Sequence, residues 1–451
     1  MAATWRGAPS LTRKTFRTSR LAEFASKSEL IKLTGHDVED WPTVVVKETI
    51  DNALDEAEEA GVAPIVEVSV AGNDITVADL AGRGMAPETV AALTDYTMRT
   101  SSREAYVSPT RGAQGHALQT ILAMGFALDG ERGDTIIESQ GVAHRIVFDA
   151  DPVRRIPRIV HDRSASAVKN GVKTTVRWPN RASSILTGAR DDFYNATQTF
   201  AWLNPHLTLT ATWYGEPCVA VAASNPTWTK WLPSQPTSPH WYDAPRLARL
   251  IAAHIAYAED HEIPCPTVRE FVAEFRGLSG TTKGKAICET VEASGRTLAE
   301  FYGEGRDLER IASLLKAMQG RSRPVKPRDL GVIGRDHLAR FVAAAGGDLD
   351  SFAYYLEEQT VGGVPYFAEV AFAHAPDAET RTLVTGLNFS PSIGRNPFRS
   401  LGPVQSLDGL LSGQLAGPGE PVIVCVHLTA PRLDFLDRGK SSVALPREVS
   451  G

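Results

Sequence analysis

Apolar and polar residues alternate along residues 65–70, which is the pattern of a half-buried β-strand. Gly72 and Asn73 give a turn signal, and a second alternating run follows at residues 74–78. The two runs therefore predict a β-hairpin. Two later runs are rich in β-branched and aromatic residues and also predict strands: 364–373 and 422–428.

Other segments carry apolar residues at helical spacing. Residues 44–60 contain no Gly or Pro and are rich in residues that favour helices. Residues 243–259 place Leu247, Leu250, Ile251, Ile255 and Ala258 along one helical face. Two shorter helices are predicted at 117–124 and at 267–275. The chain thus mixes predicted strands and predicted helices.

The helix predicted at 44–60 carries a polar face with unusual chemistry. Glu48, Asn52 and Asp55 are spaced four and three residues apart, so their side chains share one face. Two carboxylates and an amide stacked in this way suit a site that orients water and holds a hard cation. Taken alone, the same spacing is also typical of an ordinary solvated helix face.

The second predicted strand ends in Asp79, and Gly82 and Gly84 follow. Glycines after an acid at a strand end allow the backbone to approach a flat ligand while the carboxylate accepts a hydrogen bond from an amino group. An ordinary tight turn is the alternative interpretation of this segment.

A third motif runs from Thr110 to Gly115 and leads into the helix predicted at 117–124. Glycines at the start of a helix expose backbone N–H groups, and the helix dipole favours anions there, as in phosphate binding. The spacing differs from that of the Walker motif, because Gly-Lys-Ser or Gly-Lys-Thr does not follow. It also differs from the dinucleotide fingerprint, which opens the first helix after a strand.

In this order, the three motifs resemble those of the Bergerat-fold (GHKL) ATPases, and most closely those of the B subunit of type IIB topoisomerases. The Thr-Arg-Gly-Ala-Gln-Gly segment that begins at Thr110 is similar to that family's Ser-Arg-Gly-Gln-Gln-Gly. The Asn-Pro-His segment at 204–206 resembles one that follows the family's ATPase core. Lys440 lies where the family carries a switch lysine. The resemblance extends from about residue 15 to residue 440.

The resemblance implies ATP and Mg²⁺ as ligands and assigns a role to several residues. Glu48 would polarise the attacking water, Asn52 would hold magnesium and Asp79 would accept the adenine amino group. Lys440 would reach the γ-phosphate from another domain, and Thr174 would lie on a strand that supports adenine. The backbone around Gly112 and Gly115 would cradle the phosphates, and the remaining expected site residues are Asp55, Gly82, Gly84, Thr110, Arg111, Ala113, Gln114 and His116.

Three features depart from the family pattern. The adenine motif carries one extra residue and lacks one glycine, so the register of Asp79 is open. Ala117 stands where the family usually has a third glycine. The chain also stops about ten residues after Lys440, where topoisomerase B subunits continue into a helix that docks on the cleaving subunit. We therefore expect either a truncated chain or a different partner.

The resemblance implies an α+β fold with three parts: a Bergerat-fold α/β sandwich ATPase domain, a small helical domain similar to a helix-two-turns-helix module, and an α/β transducer domain. In the helical domain, Lys283 and Lys285 are candidates for contacts with DNA phosphates, and a plain helix connection is the alternative. The predicted boundaries are an N-terminal arm at 1–20, the ATPase domain at 21–223, a linker at 224–239, the helical domain at 240–327 and the transducer at 328–451.

Composition and charge exclude some classes of protein. The formal net charge of −6 excludes a general DNA-coating protein, although basic residues cluster at 13–20 and at 316–328. Such clusters are equally typical of a solvated surface. Four scattered cysteines show neither zinc spacing nor a disulfide framework. Because no signal peptide or membrane-spanning run is evident, we expect a cytoplasmic protein.

The function predicted from the resemblance is an ATP-hydrolysing gate that forms a homodimer on binding ATP and works with a separate DNA-cleaving subunit. The chain offers no tyrosine that we can nominate for DNA cleavage, so a partner would have to cut. The alternative is a nucleotide-dependent switch in a bacterial signalling or defence complex, which the acidic charge and the early C-terminus favour. A histidine kinase would need a phospho-acceptor helix before the ATPase domain, and none is predicted.

Overall fold

The computed structural model describes residues 21–96, 105–111, 117–150, 157–303, 307–401, 406–436, 442–446 and 449. The predicted hairpin is confirmed, because β1 (Ile65–Ala71) pairs antiparallel with β2 (Asp74–Asp79). Alternate residues of β1 are buried, as expected for a strand with one face against helices. The remaining strands of the first region are β3 (Arg132–Ser139), β4 (Val142–Ala150), β5 (Pro157–Ala165), β6 (Val172–Arg177), β7 (Thr208–Trp213) and β8 (Glu216–Val221).

Within the described residues these eight strands form one sheet in the order β5-β4-β3-β6-β2-β1-β7-β8. Its neighbouring strands pair antiparallel except β1 and β7, which are parallel. The helices of this region are α1 (Leu21–Phe24), α2 (Lys27–Thr34), α3 (Trp41–Glu59), α4 (Pro87–Ala92), α5 (Ala117–Asp129), α6 (Ser183–Gly188) and α7 (Arg190–Leu203). Helices α3, α5 and α7 contact β2, β3 and β7 respectively, giving a two-layer α/β arrangement.

Helix α3 is the longest described helix and carries the predicted polar face. Pro42 stands at its start, where the missing N–H costs nothing, and the chain turns out of the helix at Gly61 with φ of 72°. Its apolar side, including Ile50 and Leu54, is completely buried. Because that side packs against the sheet, the opposite side is held towards the open cleft described below.

The second region is helical, as predicted. Its helices are α8 (Ala244–Asp260), α9 (Val268–Ala273), α10 (Thr281–Thr290), α11 (Leu298–Tyr302) and α12 (Leu308–Gln319). Thr267 and Thr297 start α9 and α11 with matching capping boxes, each closed by a glutamate three residues later. Lys283 and Lys285 are exposed on α10, but the Lys283 ammonium donates to the carbonyl of Gly277 at 2.8 Å. The predicted DNA contact of these lysines remains a prediction.

The third region is built on a second sheet. Its elements are α13 (Arg335–Ala344), β9 (Ala353–Val361), β10 (Val364–His374), β11 (Thr382–Leu387), β12 (Ser390–Pro391), α14 (Leu407–Gly413), β13 (Val422–Thr429), β14 (Asp434–Phe435) and β15 (Val443–Ala444). Among the described residues, five strands pair in the order β12-β11-β13-β10-β9. Both strands predicted here, now β10 and β13, are confirmed and lie side by side.

The segment predicted as a linker, 224–239, requires a correction. The indole of Trp231 is 1% exposed and packs against Trp241, and Thr237 and Ser238 are also buried. Thr237 donates to the carbonyl of Val107 at 2.7 Å. These buried residues pack into the structure, while residues 225–227 and 234–236 of the same segment are exposed. Its proline and serine content resembles that of linkers, but its tryptophans provide the apolar area that anchors it.

Candidate functional site

A cleft of about 1780 Å³ lies beside α3 and is lined by residues from all three regions. Glu48, Asn52 and Asp55 line it from α3, so the shared face predicted from their spacing is present. Glu48 retains a quarter of its side-chain exposure, and Asn52 is exposed. The other predicted residues along the wall of the cleft are Asp79, Gly84, Thr110, Arg111 and Thr174.

Asp79 ends β2 at the bottom of the cleft, and its side chain is tied into the turn that follows. Its carboxylate accepts backbone N–H groups from Ala81 at 2.9 Å and from Gly82 at 3.1 Å. Burial nevertheless raises the pKa of the Asp79 carboxyl, against the effect of those two hydrogen bonds. The extra residue in this motif is accommodated because Leu80 continues the strand pairing by donating to the carbonyl of Ile65.

The glycines of this turn are needed for close approach. A Cβ on Gly82 would lie 2.3 Å from a carboxylate oxygen of Asp79. A Cβ on Gly84, which has φ of 85°, would lie 2.5 Å from the Ser139 hydroxyl. A larger residue at either position would therefore displace Asp79 or the neighbouring strand.

Gly171 packs against the turn after Asp79 at the bottom of the cleft, which we call the floor of the cleft, and the sequence analysis did not predict it. It has φ of 65°, and a Cβ there would lie 2.0 Å from the carbonyl oxygen of Asp79. Its N–H donates to Gly82, and its own carbonyl accepts the hydroxyl of Ser139 at 2.8 Å. The Asn-Gly pair at 170–171 is a turn signal that could have drawn attention to this position. Thr174 follows on β6, where it is buried and paired with Val77.

Arg111 was predicted as a nucleotide-binding residue, but its guanidinium is directed into the protein. Its side chain is 0% exposed and donates to Asp55 at 2.7 Å. It also forms a two-pronged hydrogen-bonded pair with Glu58 and donates to the side-chain oxygen of Asn204 at 2.6 Å. In this structure the side chains of Arg111 and Asp55 hold each other, although both residues line the cleft. Their predicted part in nucleotide binding remains a prediction.

Glu58 is the centre of this buried charge cluster and was not predicted. Besides Arg111, it contacts the Lys230 ammonium at 2.9 Å and His206 Nε2 at 2.9 Å. Burial opposes ionisation, but Arg111 and Lys230 hold the pKa of the Glu58 carboxyl well below its ordinary value. Burial lowers the pKa of His206, against the effect of Glu58. Glu58 lies three residues after Asp55 on the same helical face, which is the signal that could have revealed it.

Several predicted site residues lie outside the described residues. They are Gly112, Ala113, Gln114, Gly115, His116 and Lys440. The basic N-terminal arm at 1–20 also lies there. The assignments of a phosphate loop and of a switch lysine therefore remain predictions.

The described residues also bear on the predicted magnesium. In this part of the chain, no three His, Cys, Asp or Glu side chains are grouped so as to hold a metal ion. A protein that holds magnesium through a single side chain and substrate phosphates needs no such group, because Mg²⁺ keeps several waters and takes phosphate oxygens as ligands. Asn52, exposed to the cleft one turn after Glu48, fits that limited role.

Comparison with curated proteins gives a match to a topoisomerase subunit. No protein-family model matches the chain. The chain is 23% identical over 452 aligned residues to the B subunit of type 2 DNA topoisomerase 6 from Archaeoglobus fulgidus, covering 96% of this chain and 71% of that protein. The chain resembles the B subunit of topoisomerase VI. The match spans nearly the whole chain, as the order of the sequence motifs predicted.

Solved structures of related ATPase domains are less similar in sequence than this topoisomerase VI relative. The 43K ATPase domain of Thermus thermophilus gyrase B is 16% identical, with 96% of this chain and 87% of that chain covered and a TM-score of 0.36. The gyrase B subunit of Myxococcus xanthus is 12% identical, with coverages of 95% and 89% and a TM-score of 0.37. Among the described residues, no helix combines the length and the apolar character needed to cross a bilayer.

Proposed function

We propose that this chain binds and hydrolyses ATP, dimerises when ATP binds, and acts as a gate for a DNA-cleaving partner, as the B subunit of topoisomerase VI would. The observation that carries the proposal is the meeting of Glu48 and Asn52 with Asp79 and Thr174 in one cleft. These residues come from a helix and from two strands of the sheet. The similarity to the topoisomerase VI relative supports the same assignment.

Each side chain has a chemical task that its position suits. Glu48, partly exposed on α3, orients and polarises the attacking water. Asp79, buried at the bottom of the cleft, accepts a hydrogen bond from the adenine amino group. Asn52 holds magnesium, which when bound neutralises charge on the phosphates. Catalysis then depends on positioning and electrostatics, since the protein forms no covalent bond with the transferred phosphoryl group.

The remaining parts of the proposal concern residues 112–115 and Lys440, which lie outside the described residues, and contacts with DNA. Residues 112–115 cradle the phosphates, and Lys440 reaches the γ-phosphate from the transducer. A γ-phosphate held between two rigid bodies favours one relative orientation of them, and hydrolysis removes that preference. Lys283 and Lys285 provide local contacts with DNA phosphates.

Replacement of the proposed base tests the chemistry. In Glu48→Gln, turnover of ATP should fall by roughly 10²–10⁴-fold, because the amide cannot accept the proton of the attacking water. Affinity for a non-hydrolysable ATP analogue, measured by calorimetry, should stay near the wild-type value. Glu67→Gln, which changes an exposed glutamate of β1, is the matched control and should keep full turnover. Unchanged hydrolysis in Glu48→Gln would remove the assignment.

The gate is tested by mass measurement in solution. Light scattering after gel filtration should show monomers without nucleotide and dimers with a non-hydrolysable ATP analogue. The same measurement with added duplex DNA shows whether the dimer formed with the analogue retains the DNA. Monomers under every condition, in a protein that binds the analogue, would contradict the gate and favour a nucleotide switch of another kind.

A further inference from the structure

The turn between β11 and β12, together with the first residue of β12, reaches across to the helix that carries the proposed base. These residues, 388–390, are called the loop below. The hydroxyl of Ser390 donates to Asp51 Oδ2 on α3 at 2.8 Å. The side-chain amide of Asn388 donates to the carbonyl of Thr110, just before the predicted phosphate loop, at 3.2 Å. Ser390 and Asp51 are both buried, so this contact is shielded from water. The side chains of Ser390 and Asn388 thus both contact the ATPase region.

The loop is held in a conformation that it would not adopt freely. Asn388 and Phe389 have φ of 49° and 67°, and each left-handed residue other than glycine costs roughly 1–3 kcal/mol. Three hydrogen bonds hold the loop. The Phe389 N–H donates to His427 Nε2 at 3.0 Å, and the Ala430 N–H donates to Asn388 Oδ1 at 2.9 Å. The side-chain amide of Asn204 donates to the Phe389 carbonyl at 2.9 Å. The position of Ser390 is therefore determined by the transducer, through His427 and Ala430, together with Asn204 of the ATPase region.

On α3, Asp51 is connected to the proposed base through Lys47. The Lys47 ammonium lies 2.8 Å from Asp51 Oδ2 and 3.0 Å from Glu48 Oε1. Burial opposes the charge of this lysine, but Asp51 and Glu48 raise its pKa, so it stays protonated. Asp51 Oδ2 thus accepts both the Ser390 hydroxyl and the Lys47 ammonium. A hydrogen-bonded chain runs from Ser390 to Glu48.

We propose that Lys47 is a positioning residue for Glu48 and that Ser390 fixes Lys47 through Asp51. The proposal rests on the proposed function, in which Glu48 activates water. It provides a route by which movement of the transducer reaches the base without contact with nucleotide. When Ser390 leaves Asp51, Lys47 loses a fixed anchor and the Glu48 carboxylate loses its defined orientation.

The test separates catalysis from binding in two variants, Lys47→Met and Ser390→Ala. A misplaced base costs catalysis and not nucleotide contacts, so kcat should fall about tenfold or more in Lys47→Met and about threefold in Ser390→Ala. The dissociation constant of a non-hydrolysable ATP analogue should change less than about twofold in both. Lys47→Arg keeps the charge and should recover most of the kcat lost in Lys47→Met. Lys32→Met, at an exposed lysine of α2, and Ser412→Ala, at an exposed serine of α14, are the matched controls and should match wild type.

A double variant tests whether the two residues act in one chain. If Ser390 acts through Lys47, adding Ser390→Ala to Lys47→Met should not lower kcat further. Additive losses, wild-type kcat in both single variants, or analogue affinity that falls as much as kcat would overturn the proposal. If Lys47→Met does not fold, the kcat of Ser390→Ala and its affinity for the ATP analogue decide whether the proposal holds.

Failure of the positioning chain can be distinguished from failure of the proposed function. If the wild-type protein neither binds nor hydrolyses ATP, the proposed function fails. If the wild type hydrolyses ATP and Glu48→Gln abolishes turnover while both Lys47→Met and Ser390→Ala leave kcat intact, only the positioning chain is wrong.

Discussion

At the scale of single residues, two glycines with nearly the same backbone angle differ in what surrounds them. Gly171 has φ of 65°, and a Cβ there would meet the backbone of Asp79. Gly61 has φ of 72°, but nothing lies within 4 Å of the Cβ it would carry. Substitution of Gly61 therefore adds backbone strain alone, whereas substitution of Gly171 adds strain and a collision at the floor of the cleft.

The pair gives a direct prediction. Gly61→Ala should lower the free energy of unfolding by about 1 kcal/mol, the usual cost of a left-handed alanine. Gly171→Ala should lower it by more and should also weaken binding of an ATP analogue, because Asp79 must move. Urea denaturation and calorimetry of both variants measure the two effects. Equal losses of stability, with full analogue affinity in Gly171→Ala, would contradict a role for Gly171 in the floor.

At the scale of elements, the buried charge cluster joins α3 to three other segments. Glu58 pairs with Arg111 at the start of the predicted phosphate-loop motif, with His206 after the end of α7, and with Lys230 from the segment 224–239. Such a cluster adds little stability over an apolar substitute, but removing one partner leaves buried charges uncompensated. It fixes where the predicted phosphate loop begins.

Glu58→Gln should therefore be strongly destabilising. We expect a loss of roughly 3–5 kcal/mol in the free energy of unfolding, because Arg111 and Lys230 keep their charges without a carboxylate between them. Chemical denaturation measures the loss. Glu67→Gln on β1 is exposed and should change the stability by less than about 0.5 kcal/mol. Similar stabilities of the two variants would show that the cluster is not needed for folding.

At the scale of the whole molecule, His337 on α13 joins the transducer to the ATPase region. Its Nε2 lies 3.1 Å and 3.0 Å from the carbonyl oxygens of Ala201 and Trp202 at the end of α7. Its Nδ1 lies 2.5 Å from the hydroxyl of Ser224. Burial lowers the pKa of His337 from 6.5 to about 4, so the ring is neutral in the folded protein near pH 7.

This junction predicts a dependence of stability on pH. Since the folded pKa lies below the unfolded one, the unfolded chain binds more protons between pH 6.5 and about 4, and stability falls there as the pH falls. His337 should contribute about 2 kcal/mol of that loss between pH 7 and pH 5. In His337→Gln the loss should be smaller by this amount, as measured by urea unfolding at both pH values. His374→Gln, at an exposed histidine, should keep the wild-type dependence.

Much of the local structure could be predicted from the sequence. The face formed by Glu48, Asn52 and Asp55 and the hairpin that ends at Asp79 follow from periodicity within a few residues. The strands β10 and β13 follow from their β-branched and aromatic residues. These patterns are reliable because helix and strand geometry is set by neighbours along the chain. The order of the motifs added the α+β architecture through a resemblance.

The partners of the charged residues depended on tertiary structure. Arg111 belongs to a phosphate-loop motif in sequence, yet it pairs with Asp55 and Glu58 inside the protein. Lys230 lies in a segment with linker composition, and the Ser390 hydroxyl meets Asp51 across 339 positions of the chain. Which charges become buried together depends on how distant segments pack, and no local pattern records it. The sequence alone thus determined the helix that presents Glu48, and folding decided what holds that glutamate in place.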